Sequence, residues 1–304
     1  MLLCCRMIQG MNKKYIPSLQ LMEIMYPYGD ALDTLYALSK ALSFGFYQAV
    51  ETAVLCDRQS ARNAHLICED AGVRWTCWAS PFINSEGLNI SSLDSDAWKS
   101  SVDRLIQLMD IAAQSGAHAF AFLSGTCPDD SAMLPWALER VTEGMSTLAQ
   151  KALQYRELDI LIEPLDRDIH KHGTIGPSPD AVKLIQAVRK VNTRVYAVWD
   201  SAHIALQGEN LSDSVRLFGD AIGQVHLCNA VLDPTSTLYG DYHIMPGAPG
   251  YLDDAAAATI LRDIAQLDIR LPEIPVAIEA RPFSEPWNAE RTTREFLTHV
   301  LSMI

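Results

Sequence analysis

Two spacings of apolar residues alternate along the chain. Short apolar runs rich in β-branched and aromatic residues occur at Leu19–Met25, Phe46–Ala53, Val73–Ala79, Ala117–Leu123, Asp159–Glu163, Val195–Asp200, Ile222–Cys228 and Pro275–Ala280. Runs of this length, bounded by polar and turn residues, predict β-strands. Between them the period lengthens to that of a helix. Ala31–Ser43 carries Leu32, Leu35, Leu38, Ala41 and Leu42 on one face, and Asp96–Gln114 repeats the pattern with Val102, Leu105, Ile106, Met109 and Ala112. Ala132–Tyr155, Ser178–Val191, Asp253–Leu267 and Asn288–Ser302 continue it, and the helical stretch after the sixth strand breaks at Gly208 and restarts near Leu211. Eight strands, each followed by helix, predict βα units around a parallel sheet. No linker rich in Gly, Pro or Ser divides the chain, so the pattern predicts one α/β domain, a single (β/α)8 TIM barrel over residues 15–304 after a flexible leader at 1–14. An open doubly wound sheet is the competing architecture, but its usual GxGxxG turn is absent.

Composition narrows the functional classes. The formal net charge of −13 disfavours nucleic-acid phosphates and anionic lipid as partners. The seven cysteines are odd in number and scattered without metal-ligand spacing, which fits reduced thiols in a cytoplasmic protein. No 18-residue apolar run predicts a membrane span, and the opening MLLCCRMIQG is too short for a signal sequence. The expected partner is a small molecule, with a homo-oligomer compatible with this fold.

The chemistry concentrates at the ends of the last four predicted strands. LDILIEPLDR delivers Glu163, VYAVWDSAH delivers Asp200 with His203 three residues on, IGQVHLCNA delivers His226, and VAIEARPF delivers Glu279. In a barrel these ends form the active-site face. Each residue alone has a plain structural reading, as a capping carboxylate or a core histidine. Burying all four without compensation would be costly, and one shared cation compensates them together. Three carboxylates and one imidazole suit Mn2+ best, with Mg2+ or Co2+ as substitutes, rather than a thiolate-type zinc centre.

The motifs IEPLDR at 162–167, D-x-x-H at 200–203, the His226 of strand seven, D-x-H-x-x-P-G at 241–247 and E-x-R-P at 279–282 resemble the sugar phosphate isomerase/epimerase family of xylose-isomerase-like barrels. That family includes ketose 3-epimerases, inosose-processing enzymes and endonuclease IV. The resemblance implies one metal held by Glu163, Asp200, His226 and Glu279, with Glu163 and Glu279 also serving as the acid/base pair on a keto-sugar or cyclitol. Candidate substrate contacts are His203, His243 and Arg281, though Arg281 could instead pair with a carboxylate at the mouth. Glu51 near the end of strand two could contact a hydroxyl or cap a turn, and Trp78 at strand three could be a platform for an apolar sugar face. Trp75, three residues earlier, should face the helices instead. The chain departs from the ketose 3-epimerase pattern in two places: HLCNAVLD lacks an arginine after the strand-seven histidine, with Leu232 at about that position, and Asp166 replaces the usual asparagine. The same site could serve elimination, as in a lyase or dehydratase working with a partner subunit, and a binding-only barrel would be expected to have lost ligands. A trinuclear nuclease site needs histidines that TCWASPF and AFLSGT do not supply, His65 and His118 being misplaced. His170 and His172 lie in the loop after strand five, a usual place for a lid.

Overall fold

Each apolar run has one face for the helices and one for the other strands, and the computed structural model turns all eight into a closed parallel ring. It describes residues 15–26, 31–282 and 285–304, so the leader expected at 1–14 lies outside the described residues. The strands are β1 (Tyr15–Gln20), β2 (Ala49–Ala53), β3 (Arg74–Trp78), β4 (Ala119–Leu123), β5 (Asp159–Glu163), β6 (Val195–Asp200), β7 (Ile222–Val231), β8 (Gly240–Ile244) and β9 (Ile274–Glu279). β1 to β7 run in parallel order, and β9 closes the ring between β7 and β1. This is the expected single (β/α)8 TIM barrel. β8 stands outside the ring, antiparallel to the far end of β7.

Alternation along the strands sorts the core into two layers. Phe120, Phe122, Trp199, Val225, Leu227, Val276 and Ile278 pack outward against the helices, while Trp78, Ala119, Ala121, Leu161, Tyr196 and Val198 fill the barrel. Trp75 joins the outer layer, as expected from its three-residue offset from Trp78. The helices begin where short polar side chains can cap them: Asp57, Asp94 and Asp253 each accept backbone N–H groups of the turn that follows. Helix Ser95–Gln114 buries Val102, Leu105, Leu108, Met109 and Ala112, close to the predicted face. Among the described residues no helix is long and apolar enough to cross a membrane.

The first strand differs from expectation. The apolar run suggested Leu19–Met25, but the strand is Tyr15–Gln20, and Leu21–Ile24 form a helical turn. Pro17 lies inside the strand although proline donates nothing to a ladder. Here its carbonyl still accepts from Gln48 N–H at 2.9 Å, and pairing on both sides holds the strand extended. His65 and His118 lie away from the active-site mouth, His65 on helix Arg58–Ala71 and His118 just before β4, where its Nδ1 accepts from Trp75 N–H.

A bulge sets the register of β7. Ala197 pairs with Ile222 and Val198 with Gln224, so Gly223 is the extra residue. A Cβ on Gly223 would lie 2.5 Å from the Cβ of Tyr196 inside the barrel. Gln224 also faces inward, since it bonds Glu51 and Thr76 across the barrel. The bulge therefore places His226 on the inner face of the strand.

Candidate active site

The last residues of β5, β6 and β9 are Glu163, Asp200 and Glu279, and all three turn inward at the C-terminal mouth. His226 enters from β7. One ligating atom from each of these four buried residues lies within 4.8 Å of the others. Nδ1 of His226 faces Glu163 Oε1 at 3.0 Å and Glu279 Oε2 at 2.6 Å.

Asp200 shows how the site is built. Its Oδ1 accepts from Ala202 N–H at 2.8 Å and His203 N–H at 3.0 Å, capping helix Ser201–Leu206. Its Oδ2 is buried with no hydrogen-bond partner. Burial pushes this carboxyl up to about 7, against the pull of His203, with Glu279 and Glu163 adding to the rise. Glu163 is likewise raised by burial and by the charge of Glu279. The imidazole of His226 is held well above its ordinary value in spite of its burial, because Glu51, Glu279 and Glu163 surround it. The cluster calls for positive charge, and a buried unpartnered carboxylate oxygen among hard donors is the environment a divalent cation satisfies. The residues fit such an ion.

The other nitrogen of His226 is fixed from below. Nε2 lies 3.0 Å from Glu51 Oε2, and Glu51 also accepts from Ser18 Oγ, Trp78 Nε1 and Gln224 Nε2. Glu51 is fully buried beneath the imidazole and is not among the residues lining the cleft, so its surroundings are those of a support for His226. Trp78 does line the cleft, its ring centroid 5.5 Å from that of His226.

The cleft above the cluster has a volume of about 160 Å³, room for one small molecule. Gln20, Met22, Trp78 and Leu123 form one side, and Glu163, Glu279, His203, His243, Lys171 and Arg281 the other. Of the expected contacts, His203, His243, Arg281 and Trp78 all reach it. His203 Nδ1 is 3.2 Å from Asp166 Oδ2, and its charge is held up to about 9 against burial by Asp200, Asp166 and Asp241. Arg281 forks onto Glu23 and lies 4.2 Å above the ring of Tyr26. His243, at a left-handed φ of 53°, puts Nδ1 3.1 Å from Glu279 Oε1 and 3.2 Å from Glu23 Oε2.

Glu23 and Lys171 escaped the sequence reasoning. Glu23 sits in the turn taken there for strand, and Lys171 lies between two histidines of the β5 loop. Glu23 had the one signal of a charged residue just past a strand end, and Lys171, eight residues beyond β5, had none. His170 packs on Tyr242 with ring centroids 4.6 Å apart, and His172 is exposed at a left-handed φ of 54°, so neither histidine lines the cleft.

Residues 38–295 match the family model described as a xylose isomerase-like TIM barrel. No curated protein sequence is significantly similar to the chain. Among solved structures, an L-ribulose 3-epimerase superposes with a TM-score of 0.74 at 14% identity, covering 95% of each chain. The IolI protein with a bound zinc atom gives 0.73 at 14%, over 94% of this chain and 98% of the other. D-Psicose 3-epimerase from Clostridium cellulolyticum H10, crystallised with D-tagatose, gives 0.68 at 16%, over 94% and 97%. At these identities the likeness is one of fold, and the family model carries the assignment: the chain belongs to the xylose isomerase-like TIM barrel family.

Proposed function

We propose that the chain is a metal-dependent isomerase or epimerase of a keto-sugar or keto-cyclitol, exchanging the proton on a carbon next to a carbonyl. The observation that carries this proposal is the convergence of Glu163 and Glu279, two buried carboxylates on rigid strands that line one small cleft, with Asp200 and His226 beside them. These four residues would hold one divalent cation, Mn2+ in this proposal. The ion, when bound, supplies Lewis-acid polarisation of a carbonyl and its neighbouring hydroxyl.

The remaining chemistry belongs to the chain's own side chains. Trp78, Met22 and Leu123 offer an apolar wall for the C–H face of a sugar, which turns its hydroxyls toward the charged side. His203 and Arg281, each anchored by a carboxylate, orient those hydroxyls. Glu163 and Glu279 take up and return the proton. Return to the same carbon from the opposite face inverts it, and return to the neighbouring carbon moves the carbonyl. The keto-sugar epimerases that share the fold support this substrate class. The net charge of −13 favours small-molecule chemistry over a polyanionic partner, and the setting we propose for it is the cytoplasm.

The test is deuterium exchange. Mn2+-loaded protein incubated in D2O with D-fructose, D-tagatose, L-ribulose and an inosose should incorporate deuterium beside the carbonyl of at least one, followed by NMR. Glu279→Gln and Glu163→Gln should each abolish incorporation while leaving the circular dichroism spectrum intact. Full exchange in Glu279→Gln would refute its role. Loss of water or of an aglycone from an oxidised glycoside, seen by mass, would replace isomerisation with elimination.

A further inference from the structure

The strand-five loop, residues 164–177, delivers a cation to the cleft that no sequence motif announces. Backbone N–H groups of His170 and Lys171 both donate to Asp166 Oδ1, fixing the loop over the site. His170 Nδ1 accepts from Asp241 N–H, tying the same loop to β8. Between these anchors the Lys171 side chain turns into the cleft, where its Nζ lies 3.0 Å from Asp241 Oδ2 and 3.2 Å from His243 Nε2. One imidazole ring then separates Lys171 from Glu279, because His243 Nδ1 is 3.1 Å from Glu279 Oε1. Burial works against the ammonium, but the Asp241 carboxylate outweighs it and keeps Lys171 charged.

An ammonium carries three N–H groups, and Lys171 has two neighbours here, so at least one donor remains for the cleft. Its position matters for proton abstraction. When a carboxylate takes the proton, the C–H electron pair forms a carbon–carbon double bond and the carbonyl π pair moves onto oxygen. Fixed donors aimed at that oxygen supply much of the rate enhancement in such reactions. The stretch after His226, Leu227–Leu232, contains no cation to do so.

We propose that Lys171 donates its remaining N–H to the substrate oxygen that becomes negative, and is a catalytic residue of the reaction proposed above, on which this inference rests. It gives up no proton in the step and takes none. Asp166 and Asp241 are its positioning residues, one acting through the backbone and one on the ammonium.

The test compares Lys171→Met, Lys171→Arg and Lys171→Ala with the unsubstituted Mn2+-loaded protein, using D-fructose, D-tagatose and L-ribulose in D2O and acetohydroxamate as an anionic enediolate mimic. Lys171→Met should lose ~100-fold in the kcat of exchange with KM nearly unchanged. It should bind acetohydroxamate ~10- to 100-fold more weakly by calorimetry, with its manganese content unchanged. Lys171→Arg should keep part of the activity, and ethylammonium should partly restore Lys171→Ala, which a purely structural lysine would not allow. Normal exchange and normal acetohydroxamate affinity in Lys171→Met would overturn the role of Lys171 and leave the proposed reaction standing. No exchange and no acetohydroxamate binding by the unsubstituted protein would overturn both.

Discussion

Glu51 and Asp200 show how one carboxylate can prepare another group's chemistry. Asp200 spends one oxygen on a helix cap and leaves the other bare, which fixes the direction of the bare oxygen before any ligand arrives. Glu51 does the same for a ring. With its carboxylate at 3.0 Å from Nε2 of His226, Glu51 holds the Nε2 proton, so Nδ1, which faces Glu163 and Glu279, is the nitrogen that would be freed to bind an ion. Carboxylates behind metal-bound histidines raise ligand basicity and lock ring orientation, and their loss typically weakens metal affinity 10- to 100-fold. Glu51→Gln keeps the size of the side chain and removes its charge. We expect Mn2+ affinity to fall ~10- to 100-fold by calorimetric titration, with an unchanged far-UV spectrum. Unchanged affinity would mean that Glu51 serves the packing of Trp78 and Gln224 alone.

Elements carry these residues to their places through two local devices. The first is Asp166, whose Oδ1 accepts from the N–H groups of His170 and Lys171 while Oδ2 faces His203. Burial would raise this carboxyl, but the His203 contact and the two backbone donors outweigh burial and hold it below its ordinary value of 3.8. An acid with a lowered native value contributes stability above its unfolded value and loses it as pH falls through the native one. Hydrogen exchange of residues 168–173 should therefore accelerate as pH drops below ~4, relative to that of β5, and Asp166→Ala should show the same fast exchange at neutral pH. A loop equally protected in Asp166→Ala would rule out the clamp. The second device is the bulge at Gly223. Alanine there meets the Tyr196 Cβ at 2.5 Å, so Gly223→Ala should destabilise by about 1–3 kcal/mol in chemical denaturation. Bulge and clamp also mark the limit of what pattern reveals. Period and run length find the eight ring strands, and Glu163, Asp200, His226 and Glu279 stand out because charge at the end of an apolar run is expensive. The apolar run Leu19–Met25 places the first strand too late because it continues past Gln20 into a helical turn, whereas β1 begins at Tyr15 and is held by pairing on both sides. β8 is a five-residue strand with Asp241 and His243 inside it, too polar to be recognised by hydrophobicity. Lys171 reaches the cleft through loop geometry that no periodicity encodes.

Across the whole molecule, the four proposed ligands come from β5, β6, β7 and β9, one arc of a ring whose opposite arc ends in Gln20, Trp78 and Leu123. The barrel thus gathers three carboxylates within a few ångströms, and in the metal-free protein their repulsion and burial oppose folding. An ion bound by all four residues relieves that opposition and links strands far apart in sequence. Binding to the native state alone stabilises it by about 2.7 kcal/mol at a hundredfold excess over Kd. For a chain of 304 residues that corresponds to roughly 4 °C in Tm. Mn2+ should therefore raise the melting temperature of chelator-treated protein by about that amount, read by calorimetry, and added chelator should reverse the rise. Asp200→Asn is the control that separates the two tasks of Asp200. Its amide oxygen can still cap helix Ser201–Leu206, so metal-free stability should hold or increase as a buried charge disappears. The bare carboxylate oxygen is gone, so the Mn2+-dependent rise should vanish. A rise that persists in Asp200→Asn would locate the ion elsewhere, and no rise in the unsubstituted protein would leave the acidic arc to be explained by the histidines alone.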